Sequence, residues 1–538
     1  MNAHYEPLDW LVFGAYALLI AFTAWWFNRK KANTSAEYFL GGNAMPTWMV
    51  AISVLATSQS AATFIGGPDQ GYQGDLSYLA TNIGAFIAAL IVAQVLIPRF
   101  YQYKVYTVYE LLEQQVGPKA KRRAGLMYLF GRVFASGARL YMAAIAVAMI
   151  LYGNIAASSV IMATVVLVVV GIAYTIFGGI RTVIYSDVIQ CVVYTGAAVC
   201  VIVSLWLAIP ADFSTVVNAL QSPAPDQGSK LALFKFDWDF SASGVFNMWS
   251  VLTGFVLLNI AAFGLDQDMT QRVLTCKDAR SGSRAIMLSI AMVIPVMFLF
   301  IVIGLLLFVF YQRPDIMMGA VDGSNVGQFQ GEKITVFMHY VLNEIPAGVK
   351  GLVTIGIIAA AISTLNSGLS SMASVVVQDI YKPWHEKRKP EQDDHHYVVV
   401  GRFAMLGVSF ALGAMAILCY FWQQYSQMPL LKFALSVMVF SYSGLLGVYF
   451  TTLFLKRGSE ASVLAALIVG FMATLMMQPY VQSVVLPQHW QFNLGFTWQL
   501  CIGTALATLV CALGRKPVVE GLSASSHGSQ PMQQVSYE

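Results

Sequence analysis

The feature that most restricts this chain is a succession of thirteen apolar runs, each about as long as a helix needs to cross a bilayer. They fall at 8–27, 47–71, 75–98, 124–153, 157–177, 181–208, 244–265, 284–311, 347–380, 397–423, 428–455, 460–478 and 495–513. Lipid offers a backbone amide no partner, so such runs fold as helices that satisfy their own backbone. The 538 residues are 57% hydrophobic and only 11% charged, against about 25% charged in an average soluble domain. An all-α polytopic membrane protein is therefore expected. The first run does not read as a secretory signal: "MNAHYEPLD" before it has no basic residue, and "NRKK" follows where a cleavage site would stand.

Basic residues set the expected orientation. "NRKK", "PRFYQYK", "GPKAKRR", "GGIRT", "QRVLTCKDARSGSR", "YKPWHEKRK", "KRG" and "GRK" all fall on alternate loops. Basic loops stay inside, which puts the N-terminus outside and the C-terminus in the cytoplasm of a plasma (inner) membrane protein. The net charge of +4 is small, and neither a nucleic-acid partner nor a bound cofactor is expected. Cys191, Cys200, Cys276, Cys419, Cys501 and Cys511 lie almost entirely in apolar segments without paired short spacing. They read as small core residues, not as a disulfide framework or metal site.

Polar residues inside the apolar runs carry the functional signal. "SVLATSQSAATFIGGPDQGY" (53–72) crowds Thr57, Ser58, Gln59, Ser60 and Thr63 ahead of Gly66-Gly67-Pro68. The Gly-Gly-Pro weakens a helix, and the polar run upstream tolerates unwinding, which would aim free carbonyls at a cation and hydroxyls at a solute. "LTGFVLLNIAAFGLDQDMTQR" (252–272), five runs later, holds Gly254, Asn259 and Gly264 and is a comparable interrupted segment. That interval suits an inverted five-plus-five repeat. A third cluster, Ser363, Thr364, Asn366, Ser367, Ser370 and Ser371, falls within 347–380. Small hydroxyls also serve close helix packing, but this density of oxygens suits a sodium ion. Arg132, Arg139 and Asp187 are the ionisable groups expected at membrane depth, each facing a cavity, a solute or a structural partner.

Taken together and in order, "EYFLGG", "SVLATSQSAATFIGG", "YTIFGGIRTVIYSDVIQ", "GLDQDMTQRVLT" and "AAAISTLNSGLSSMASVVVQDIYK" resemble the sodium:solute symporter family of glucose, proline, pantothenate and sialic acid cotransporters. The resemblance covers roughly Tyr38 to Lys382 and continues more weakly beyond. It implies a leucine-transporter-like inverted repeat preceded by one extra helix. It also implies an organisation of 1–46 (extra helix and loop), 47–455 (core, repeats 47–208 and 244–455), 456–514 (two added helices) and a disordered tail at 515–538.

Carried over residue by residue, the resemblance implies a principal sodium site from the carbonyls of Ala56, Gln59 and Ala360 and the hydroxyls of Ser363 and Thr364. A second sodium, used by some members, would take Asp187, Ser363, Asn366 and Ser367, with Asn366 standing where sialic acid transporters have a serine. The solute would meet Ser60, Thr63, Asn82, Asn259 and Arg139, the last about one turn from the sialic acid transporters' arginine. Ala62-Thr63 replaces the Glu-Gln of sugar transporters, and Ala262-Phe263 replaces their tyrosine and tryptophan. Sodium-coupled import of a small organic solute, with a carboxylate favoured, is expected. A sugar, amino acid or vitamin, or coupling to protons through Asp187, are the alternatives. A membrane enzyme or a channel finds no support: the histidines fall at loops, termini or run edges, "QDDHH" (392–396) reads as a solvated loop, and no filter-like loop occurs.

Overall fold

Long apolar runs become long helices here because nothing inside them competes for the backbone, and they end where glycine or charge allows. The computed structural model describes residues 5–27, 32–176, 178–223, 228–318, 328–329, 332–389, 393–426 and 430–515. The tail expected at 515–538 lies, beyond Arg515, outside the described residues. Helices α1 (Pro7–Phe27), α2 (Thr47–Ser58), α3 (Ala61–Gln73), α4 (Ser77–Ile91), α5 (Pro118–Tyr152), α6 (Ala157–Thr175) and α7 (Gly179–Ala208) make the first half. The second half holds α8 (Met248–Leu252), α9 (Gly254–Ile260), α10 (Gln267–Val273), α11 (Ala279–Gln312), α12 (Val349–Val375) and α13 (Asp394–Ser426). It continues through α14 (Leu430–Phe450), α15 (Glu460–Met476) and α16 (Phe496–Ala512). Among the described residues the sole β structure is a two-residue ladder, Gln328–Phe329 against Glu332–Lys333.

Eight helices are long and apolar enough to cross a membrane, and ten if each strongly bent pair counts as one span. Shorter apolar helices cover Pro7–Thr23, Ala157–Ala173 and Phe496–Ala512. The core packs α12 against α7, α5 and α2, and α11 against α3 and α2.

The chain breaks inside the polar run, about two turns ahead of Gly66-Gly67-Pro68. Those three residues sit inside continuous α3, and the interruption falls at Gln59 and Ser60, both extended. The glycines of this region serve packing instead. A Cβ on Gly304 of α11 would overlap the Pro68 carbonyl, and one on Gly71 would overlap the Ile301 carbonyl, so the two backbones lie nearly in contact. The comparable segment at 252–272 is also interrupted, at Thr253 (φ −119°, ψ −81°) and again at Asp266 (φ −89°, ψ 117°). A π turn over Ala261–Leu265 precedes the second break.

Two local expectations are corrected. "QDDHH" is not a solvated loop throughout, since Asp394, His395 and His396 open α13. Asp394 accepts the backbone N–H and the hydroxyl of Ser35, and Tyr381 Oη lies 2.9 Å from His396 Nε2. Arg272, expected in a basic loop, is 0% exposed in the protein interior. The six cysteines are free.

Candidate functional site

The break is built from its own sequence. α2 stops at Ser58, Gln59 and Ser60 extend, and the Ser60 hydroxyl caps α3 by accepting the Ala62 N–H at 3.2 Å. Gln59 N–H still reaches the Leu55 carbonyl at 2.9 Å, but beyond it no helical N–H follows to take the carbonyls of Ala56 to Gln59. Those dipoles point out of the end of α2, where a cation would be held without a formal charge.

A cavity of about 130 Å³ opens beside this break. Its polar wall includes Gln59, Ser60, Thr63, Asn82, Arg139 and Asn259, and its apolar wall includes Phe255, Phe263, Val293 and Met297. All five residues expected to meet the solute are thus brought together. Asn82 Nδ2 donates to the Leu79 carbonyl at 2.9 Å, and Asn259 Nδ2 to the Phe255 carbonyl at 2.7 Å, which fixes both carboxamides. Arg139 is 8% exposed. Its Nη2 faces Met438 Sδ at 3.2 Å, its Nη1 has no hydrogen-bond partner, and no carboxylate lies within ion-pair distance among the described residues. Gln59 Oε1 is likewise buried without a partner. A buried guanidinium left this way is expensive unless something anionic visits it.

Thr364 joins this cavity to the expected sodium ligands. It lines a small void of about 10 Å³ with Ser60, Ser136 and Arg139, the scale of a single water. Its Oγ1 donates to the Ala360 carbonyl at 3.1 Å, and Ser363 Oγ donates to Asp187 Oδ1 at 2.6 Å. Each hydroxyl spends its proton on the protein and keeps lone pairs for a cation.

Asp187 itself is fully buried. It accepts from Ser53 and Ser363, and Arg272 Nη2 pairs with it at 3.1 Å. Arg272 also holds Asp268 (3.0 Å), which Arg132 shares, and Arg132 Nη1 reaches Asp266 at 2.8 Å. Tyr442 donates to Asp266 and Ser367 to Asp268. Of the residues expected at a second sodium, Asp187 and Ser363 meet directly, while Ser367 turns to Asp268. Asn366 lies against Gly171 of α6, its carboxamide buried without a partner. Arg132 is therefore a structural ion pair, one of the two readings its sequence position allowed. Asp266, Asp268, Arg272 and Tyr442 are the members that sequence reasoning passed over. The one signal available was the density of charge in "GLDQDMTQR" directly after an apolar run.

Interrupted apolar helices beside a buried polar cavity, with buried ion pairs elsewhere in the same bundle, suit a membrane carrier. The chain belongs to the sodium:solute symporter family, whose model matches residues 38–470. It is a sodium-dependent transporter, not an enzyme. Among its relatives, the sodium/sialic acid symporter SiaT of Proteus mirabilis (strain HI4320) is 25% identical over 469 residues, 86% of this chain and 88% of the relative. The sodium/glucose cotransporter of Vibrio parahaemolyticus is 24% identical over 519 residues, 94% and 91% of the two chains. The fold matches a substrate-bound, outward-open sodium-coupled sialic acid symporter with a TM-score of 0.77 at 21% identity, covering 95% of this chain and 98% of the other.

Proposed function

We propose that this symporter imports a small organic carboxylate together with sodium. The observation that carries the reading is Arg139, a buried guanidinium with no carboxylate partner in the cavity that also holds Ser60, Thr63, Asn82 and Asn259. A carboxylate would supply the missing counter-charge through charge-assisted hydrogen bonds. Relatives that carry sialic acid, itself a carboxylate, support this. The cavity of about 130 Å³ argues for a modest solute, since a cavity of about 150 Å³ accommodates benzene. Its apolar wall suits a short hydrocarbon part.

In this reading the carbonyls of Ala56, Gln59 and Ala360 and the hydroxyls of Ser363 and Thr364 bind the coupling sodium. Arg272 on Asp187 favours Asp187 as a tether of the inner gate over Asp187, Ser363, Asn366 and Ser367 as a second sodium site. The chain crosses the plasma membrane thirteen times as two inverted repeats (47–208 and 244–455) with flanking helices, N-terminus outside. Uptake into proteoliposomes under an imposed sodium gradient tests the proposal. Labelled short carboxylates should accumulate, and accumulation of only solutes that lack a carboxylate would overturn it.

A further inference from the structure

One face of α12 carries buried oxygens well past the expected sodium ligands. Ser363, Ser367, Ser370, Ser374 and Gln378 recur every three or four residues, and each is at most 3% exposed. From Ser363 to Asp379 this face runs ~24 Å at 1.5 Å per residue. Carboxylates mark its levels. Ser363 bonds Asp187 and Ser367 bonds Asp268, and Arg272 neutralises both. Below them the Ser370 hydroxyl is fully buried and has no partner. Ser374 receives the Gln267 carboxamide at 3.2 Å.

The face ends at Asp379. A π turn over Val376–Tyr381 continues the helix and carries Asp379. Its Oδ1 accepts the Thr107 hydroxyl at 2.7 Å, while Oδ2 is buried and unpartnered. Gly125 of α5 faces that oxygen and offers it no donor, and a Cβ there would crowd it at 3.3 Å. The nearest cation is Lys121, whose Nζ lies 2.9 Å from Glu113, 3.8 Å from Glu110 and 3.8 Å from Asp379. One ammonium thus serves three carboxylates. Lys382 is turned to the rings of Tyr106 and Tyr397. A buried carboxylate oxygen with no donor is costly, and a monovalent cation is the guest that would satisfy it.

We propose that Asp379 is a second, weaker sodium station at the inner end of α12. Sodium released from Ser363 and Thr364 reaches it past Ser370 and Ser374, and Lys121 is the resident cation that it competes with. The station rests on the assignment of Ser363 and Thr364 to the coupling sodium.

Equilibrium binding of radioactive sodium to the purified full-length protein tests this. The wild type should bind in two phases. Asp379→Asn should abolish the weaker phase and keep the stronger one. Lys121→Gln, which removes the competing ammonium, should tighten the weaker phase about tenfold, the scale of one close charge contact. Opposite signs from two partners of one ion pair are not what loss of a structural contact produces. A single phase in the wild type, or Lys121→Gln with both phases unchanged, overturns the station whether or not Asp379→Asn folds. Ser363→Ala should weaken the stronger phase alone, roughly five- to thirtyfold. If it does not, the coupling-sodium assignment fails on its own.

Discussion

Arg132 and Arg139 stand seven residues apart on one face of α5, both nearly inaccessible, and they live in opposite circumstances. Arg132 is held by Asp266 and Asp268, which Tyr442 and Arg272 hold in turn. Arg139 has a thioether and a bare cavity wall. The burial of the two charges is similar, so burial does not separate structure from function here. The difference lies in whether the protein itself supplies the counter-charge. Where it does, the charges lock into a buried cluster. Where it does not, the guanidinium is left for the solute proposed above.

Removing Arg132 should have the largest effect. Arg132→Gln leaves Asp266 and Asp268 short of a partner, and breaking a buried pair on one side costs about 3–5 kcal/mol. Folded yield and melting temperature in detergent should collapse, and a well-folded Arg132→Gln protein would contradict the closed-cluster assignment. Arg139→Gln should behave the other way. Its melting temperature should hold or rise, because no internal pair is lost, while carboxylate affinity falls by about 2 kcal/mol, roughly thirtyfold. Arg139→Lys should retain part of that affinity, since the charge stays and the planar fork is lost. Unchanged affinity in correctly folded Arg139→Gln would rule out the carboxylate and make the two arginines alike after all.

Next in size is the proposed sodium site. Ser363→Ala or Thr364→Ala should raise the sodium concentration for half-maximal uptake roughly five- to thirtyfold, the ~1–2 kcal/mol of one coordinating oxygen. Ser363→Ala should also loosen Asp187, whereas Thr364→Ala should not, because only Ser363 bonds that carboxylate. Normal sodium dependence in both variants would dissolve the site. Asp187→Asn distinguishes a tether from a ligand. As a tether its loss lowers stability and leaves the Hill coefficient for sodium unchanged, whereas as a ligand its loss moves a coefficient above one down toward one. Thr63→Ala should be the mildest, about 1 kcal/mol of solute affinity and no change in stability.

Much of this was legible before any fold was known. Hydropathy marked the helical segments, because burial in lipid is a property each run satisfies alone. The hydroxyls at 57–63 and 363–371 stood out for the same reason, being oxygens where lipid would tolerate none. The family resemblance in five ordered segments is matched by the family model over 38–470. The helix opens at Gln59 and Ser60, within that polar run, and less legible was what the glycines after it do. Gly66-Gly67-Pro68 looks like a break but is a packing surface for α11, and only the neighbour's backbone reveals that.

Sequence by itself determined the membrane class, the symporter family and the two polar segments, since these depend on local composition and order. Tertiary structure decided the roles of the charges. Arg272 reads as a loop residue until Asp187, 85 positions away, and Ser53, 219 positions away, close around it. Arg132 and Arg139 are alike in the sequence, and partners 134 and 136 positions from Arg132 make them different. Counter-charge is a relation between distant segments, and a buried charge takes its meaning from what the fold sets beside it.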